Sequence, residues 1–184
     1  MHDLSLYLLD ILENSVRAGA TVIATTIVVD RAADEIAMRV EDDGPGLPVE
    51  PEQALDPFFT TKANKKTGLG LSLFRQAAEA AGGGLTAGRS DELGGVRVDA
   101  WMRLADVDRP PLGDVAASIA TMVVTNPEIE FRVDLDDDGA RTTLRGLEIP
   151  VRFSELTAFQ EALPLSTDAF CEAIAAEPKR RRGE

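Results

Sequence analysis

Between Asp3 and Glu41 the chain changes its hydrophobic period once, and that change already limits the architectures open to it. Leu4, Leu8, Ile11, Leu12 and Ser15 recur at helical spacing, with Asp3 placed to cap the first turn and Gly19 to end the last. The spacing predicts a helix over residues 4–18. Two runs follow, TVIATTIVVD from Thr21 to Asp30 and EIAMRVE from Glu35 to Glu41, β-branched or alternating and joined by the polar turn RAAD. They predict an antiparallel hairpin, which runs directly into the glycine-proline loop DDGPGLP.

A second helix is signalled by Leu71, Phe74, Ala77, Ala78 and Ala81 on one stripe, ended by Gly82, Gly83 and Gly84. It is entered through TGLGL, Thr67 to Leu71, where Gly68 and Gly70 flank a single residue. A glycine turn that opens a helix leaves backbone N–H groups unpaired beside the positive end of the helix dipole, and a phosphate can come close where no side chain stands. The same pattern also serves as ordinary turn chemistry, so the residues alone leave both readings open. Leu85 to Arg89 and Gly95 to Leu104 then read as strands about SDELGG. The element order predicts an α+β fold of two layers, a mixed sheet with helices on one face.

From Ala105 onward DVDRPPLGD reads as a rigid turn at Pro110 and Pro111, Val115 to Val124 as a helix, and EIEFRVDL with RTTLRGLEI as a hairpin about DDDG. Thr167 to Ala176 reads as a last helix. The expected organisation is a core domain over residues 1–104 and a small α+β extension with a basic tail over residues 105–184. Asp136 to Asp138 lack a complete calcium-loop pattern and read as a solvated hairpin turn.

A chain of 184 residues with 44% hydrophobic content can bury a core of ordinary size. Its 19 basic and 32 acidic side chains give a formal net charge of −13, which argues against general binding to nucleic acid or to an anionic membrane. Lys179 to Arg182, the one basic cluster, reads as a solvated terminal tail. Cys171 is the only cysteine, so neither an intramolecular disulfide nor a thiolate metal cluster can form, and a reducing cytoplasm fits. The apolar start is interrupted by Asp3, Asp10, Glu13 and Arg17, unlike a signal peptide, and no stretch is long enough to span a membrane.

Four separated segments resemble, in order, the nucleotide-binding boxes of the GHKL superfamily, which takes in DNA gyrase, the heat-shock chaperone ATPases, sensor histidine kinases and mismatch-repair ATPases. DILENSVRAGAT (Asp10 to Thr21) resembles the N box and EDDGPGL (Glu41 to Leu47) the DxGxG box. DPFFTTK (Asp56 to Lys62) resembles the F box and TGLGLSL (Thr67 to Leu73) the second glycine box. The resemblance implies a Bergerat-type two-layer sandwich that binds ATP with Mg2+ between its helices and a lid.

Asp10 and Asn14 stand four apart on one helical face, where a carboxamide oxygen can bind a hard cation and a carboxylate can handle water or protons. The resemblance makes Asn14 the magnesium ligand and puts Asp10 where hydrolytic members carry a glutamate as general base. Asp10 is shorter by one methylene, which implies slow hydrolysis. Asp42 matches the aspartate whose carboxylate accepts from the adenine amino group, with Gly44 and Gly46 forming its turn; Asp43 is given no part beyond holding that turn. Phe58 and Phe59 would anchor a short lid over Thr60 to Thr67, from which Lys62, ahead of Lys65 and Lys66, would reach phosphate. Thr67, Gly68, Leu69, Gly70 and Leu71 complete the implied nucleotide contacts.

The short lid looks more like that of sensor histidine kinases, and LENSVRAGAT more like mismatch-repair ATPases. Only a few residues precede the N box, and His2 reads as an ordinary residue, so the phosphoacceptor is expected on another protein. The start of the chain and of its extension resemble small bacterial ATP-binding proteins found alongside iron-hydrogenase and NADH-oxidising subunits. Two functions follow as expectations. One is a kinase-like ATPase that transfers the γ-phosphate to a partner protein or slowly hydrolyses ATP. The other is a non-catalytic, nucleotide-gated module that regulates a redox complex.

Overall fold

The computed structural model describes residues 3–56 and 69–162. Helix α1 covers Leu4–Ala18, as its spacing predicts. Asp3 caps it by accepting from the Leu6 amide at 3.1 Å, and Gly19, at φ 85°, donates its N–H to the Ser15 and Val16 carbonyls. Strands β1 (Val22–Asp30) and β2 (Glu35–Asp42) form the expected antiparallel hairpin. A single turn, α2 (Pro51–Ala54), precedes α3 (Leu69–Ala80), and β3 (Gly84–Arg89) and β4 (Val96–Arg103) follow.

These strands join a six-stranded mixed sheet of order β3-β4-β2-β1-β5-β6, in which only the β1–β5 pair is parallel. Alternation decides which side is dry. Ile23, Thr25, Ile27 and Val29 of β1 are buried, with Ile36, Met38 and Val40 of β2 and Val98, Ala100 and Met102 of β4 on the same side. Leu4, Leu8, Ile11 and Leu12 of α1 and Phe74 and Ala78 of α3 lie in the same buried cluster. The Tyr7 and Phe74 rings stack 4.7 Å apart where α1 meets α3. Opposite, Asp99 accepts from Arg39 and Arg97, and Trp101 is exposed on the open face. Among the described residues no helix is long and apolar enough to cross a membrane.

Residues after Ala105 contribute to the same sheet and the same core. Helix α4 (Val115–Thr125) packs on α1, and β5 (Glu130–Asp137) lies beside β1 with Ile23 opposite Phe131 and Ile27 opposite Leu135. Strand β6 (Ala140–Arg145) pairs with β5 across Asp138 and Gly139, whose φ values of 50° and 90° suit a two-residue turn of the type favoured between twisted strands. The sequence suggests a strand reaching Ile149, but β6 stops at Arg145. Gly146 takes a positive φ of 49°, and α5 (Glu148–Val151) turns Ile149 into the core from a helix. Helix α6 (Phe153–Ala162), which the sequence pattern does not announce, closes the described chain and buries Leu156. The helix expected over Thr167 to Ala176 lies outside the described residues.

The extension is also stitched to the start of α1. The Leu4 amide donates to the Pro111 carbonyl and the Ser5 amide to the Leu112 carbonyl, both at 2.9 Å. Two amides that a helix N-terminus leaves without internal partners are thereby satisfied by the linker.

Candidate functional site

The site gathers where the C-terminal end of β2 meets the last turns of α1. Asp42, the final residue of β2, is 3% exposed, so its carboxylate depends on protein donors. Its Oδ1 accepts from the Gly44 and Val96 amides, each at 3.0 Å, and its Oδ2 from the Ser15 hydroxyl at 2.6 Å. Its main-chain carbonyl accepts from the Gly95 amide at 3.0 Å. Gly95 has to be glycine for this approach: a Cβ there would stand 2.3 Å from Asp42 Oδ1 and 2.5 Å from the Gly44 nitrogen. Three stretches of chain, from α1, β2 and β4, therefore meet on one carboxylate.

Asp43 forms a second anchor. Its Oδ1 accepts from the Thr21 and Val22 amides at 2.7 and 2.9 Å, and its Oδ2 from the Thr21 hydroxyl at 2.5 Å. Burial works to raise this carboxyl, but the hydrogen bonds from Thr21 and Val22 outweigh it and hold the group below the usual carboxylate range. Asp43 thus ties the loop after β2 to the start of β1. Gly44 donates to Asp42 inside that loop, and Gly46 follows at φ 88°.

Asp10 and Asn14 are exposed on α1, one turn apart. Asp10 lies against the first turn of α3, where a Cβ on Gly70 would come within 2.7 Å of Asp10 Oδ2. Asn14 Oδ1 accepts from Arg17 Nη2 at 2.8 Å, and Arg17 also reaches Glu13 at 3.7 Å. Leu71 is half-buried against the core, and of Leu69 only the backbone is described. Lys62, Thr67 and Gly68 lie outside the described residues, as do Phe58, Phe59, Lys65 and Lys66. Asp10 and Ser15 are five positions apart on α1, about 7.5 Å along the axis, so the Asp42 and Gly70 ends of the site are separate centres on one helix.

Among the described residues no three His, Cys, Asp or Glu side chains come together as a metal cage. One carboxamide oxygen with a carboxylate a turn away suits magnesium, which keeps most of its octahedral shell as water and phosphate oxygen. The residues fit an ion that arrives with a nucleotide.

Sequence reasoning passes over four members of this site. Ser15 reads as part of the apolar stripe, Thr21 as a strand start, and Gly95 and Val96 as a loop and a strand. The signal for Gly95 was the unexplained Gly94-Gly95 pair, which acquires a meaning only once the β2–β4 register sets Glu41 opposite Arg97 and brings Gly95 to Asp42.

The family described as histidine kinase-, DNA gyrase B-, and HSP90-like ATPase matches residues 2–106. Sensor histidine kinase CpxA of Escherichia coli (strain K12) is 36% identical over 101 residues, which is 52% of this chain and 21% of that protein. The chain thus spans no more than about a fifth of the length of the curated relatives it matches. Among solved structures, the ATP binding domain of PrrB from Mycobacterium tuberculosis aligns at 27% identity and a TM-score of 0.41, covering 53% of this chain and 64% of that one. The Aquifex aeolicus MutL ATPase domain complexed with ADP aligns at 18% identity and a TM-score of 0.41, covering 86% and 70%.

Proposed function

The chain belongs to the histidine kinase-, DNA gyrase B- and HSP90-like ATPase family, and on that premise we propose a magnesium-dependent, cytoplasmic ATP-binding protein that passes the γ-phosphate to a separate partner protein or slowly hydrolyses ATP. The observation that carries this reading is the Asp42 carboxylate, buried yet held at both oxygens by Ser15, Gly44 and Val96. A carboxylate offers about four acceptor sites, and three are filled. The remaining one suits an amino donor such as that of adenine.

From the base at Asp42 the phosphates would run along α1 toward Asn14, Asp10 and Gly70. Magnesium, when bound, offsets phosphate charge, and Asn14 Oδ1 would hold it. In transfer, the partner's nucleophilic oxygen or nitrogen forms the new bond to the γ-phosphorus, the bond to the bridging oxygen breaks, and ADP leaves. In hydrolysis the nucleophile is water, and Asp10 would take its proton. A side chain one methylene shorter than glutamate, lying against Gly70, reaches less far, which supports slow turnover. In this reading residues 1–104 bind the nucleotide and the extension over residues 105–184, whose β5 and β6 complete the sheet, carries the partner surface.

A second reading, a nucleotide-gated module that regulates a redox complex without transferring phosphate, draws on the bonds that the Leu4 and Ser5 amides donate to the Pro111 and Leu112 carbonyls. Incubation of the protein and Mg2+ with γ-labelled ATP and a lysate of the native organism separates the two. Label on a distinct protein supports transfer. Nucleotide-dependent association with redox subunits and no label supports regulation. Absence of ATP binding in calorimetry removes both.

A further inference from the structure

We propose that Ser15 is the positioning residue that sets the discrimination between 6-amino and 6-oxo purines, acting through Asp42. This rests on the reading of Asp42 as the base-facing carboxylate. Ser15 is 4% exposed, and its hydroxyl has a defined task, donating to Asp42 Oδ2 at 2.6 Å. That distance lies at the short end of the range for an O–H···O bond.

Oδ1 is occupied by the Gly44 and Val96 amides, and Oδ2 has two sites, of which Ser15 takes one. With Ser15 in place the carboxylate is pinned at both oxygens and presents one open acceptor site in one direction. Adenine meets it with an amino group. A 6-oxo purine presents a carbonyl oxygen at that position, which an acceptor repels, and carries its donor on N1, displaced to the side. To reach that N–H the carboxylate has to swing, and the Ser15 bond opposes the swing. Without the hydroxyl, Oδ2 has two open sites and only Oδ1 is held, so the N1 donor is met at lower cost.

Among the described residues the neighbouring polar groups have other partners. Asp43 is committed to Thr21 and Val22. The nearby buried hydroxyl of Ser90 donates to Glu41 Oε1 at 2.8 Å.

The test uses the full chain as wild type, S15A and S15T, titrated by calorimetry with ATP and with ITP, both without magnesium so that Asn14 does not contribute. Wild type is expected to favour ATP, S15A to narrow the ATP-over-ITP preference by about tenfold, and S15T, which keeps the hydroxyl, to restore it. The ratio is read within each variant, so a change in folded fraction does not move it. An unchanged ratio in S15A, or a ratio in S15T as low as in S15A, overturns the proposal. Failure of the wild-type chain to bind ATP overturns the reading of Asp42 on which it rests.

Discussion

Gly70 stands where a side chain would collide with Asp10: a Cβ there would lie 2.7 Å from Asp10 Oδ2 and 3.4 Å from its Cγ. A side chain at the start of α3 would therefore press on a carboxylate of α1. The two helices meet at this point with Asp10 as the yielding member, because it is exposed and can rotate away.

Gly70→Ala is expected to keep or slightly raise thermal stability while lowering phosphate chemistry. Alanine gains about 1 kcal/mol of helix propensity over glycine, and the clash is relieved by displacing Asp10. Melting temperature and γ-phosphate release, measured on the same preparation, separate the effects. Turnover equal to wild type would show that the position of Asp10 does not matter.

Gly95→Ala acts on a different kind of contact. Its Cβ would meet Asp42 Oδ1 and O and the Gly44 nitrogen, two of them main-chain atoms that cannot rotate aside. Overpacking of this kind costs about 1–3 kcal/mol, and ATP affinity should fall at least about tenfold as the Asp42 carboxylate is displaced. Gly94→Ala is the control. It faces open space at φ 87°, so it should cost stability through backbone strain and leave the ATP-to-ITP ratio unchanged. Urea titration and calorimetry report the two quantities.

Asn14→Ala should weaken Mg-ATP far more than metal-free ATP, since it removes the oxygen proposed to hold the cation and leaves the Asp42 end intact. Calorimetry with and without magnesium reads the difference. An equal loss in both conditions argues for a role in nucleotide contact instead, or for the bond from Arg17.

The Asp43 clamp predicts an acid-dependent contribution to stability. The folded-state value is held down by the Thr21 and Val22 bonds, below an unfolded value near 4. A depressed carboxyl stabilises the fold fully above the unfolded value and loses that contribution as pH falls through the folded one. Asp43→Asn should accordingly cost stability at pH 7 and cost progressively less from about pH 4 downward. Parallel urea melts of both proteins across that range would expose a constant difference if the clamp were not ionised.

The parts of this fold that were legible in the sequence are those decided locally. The start and end of α1 and the β1–β2 hairpin follow from a capping aspartate, a left-handed glycine and alternation, and each needs only neighbours in the chain. The residues of four boxes point to a nucleotide, although Lys62, Thr67 and Gly68 lie outside the described residues. What could not be read depends on partners far along the chain. The parallel pairing of β1 with β5 joins residues more than a hundred positions apart, and nothing in either strand names the other. Leu144 and Ile149 look like one strand, yet a positive φ at Gly146 separates them into β6 and α5. Ser15 belongs to an apolar stripe by spacing, and only the end of β2 gives its hydroxyl a partner.

The bonds from Leu4 and Ser5 to Pro111 and Leu112 give α1 a fulcrum. Ser15 stands eleven residues further along, about 16 Å at the rise of an α-helix. A tilt of about 4° at the linker end moves Ser15 by about 1 Å, which its 2.6 Å bond to Asp42 cannot follow. A movement of residues 110–113 that tilted α1 would therefore be felt at the Ser15 hydroxyl and, through it, at Asp42, which couples the extension to the end of the site proposed to take the base.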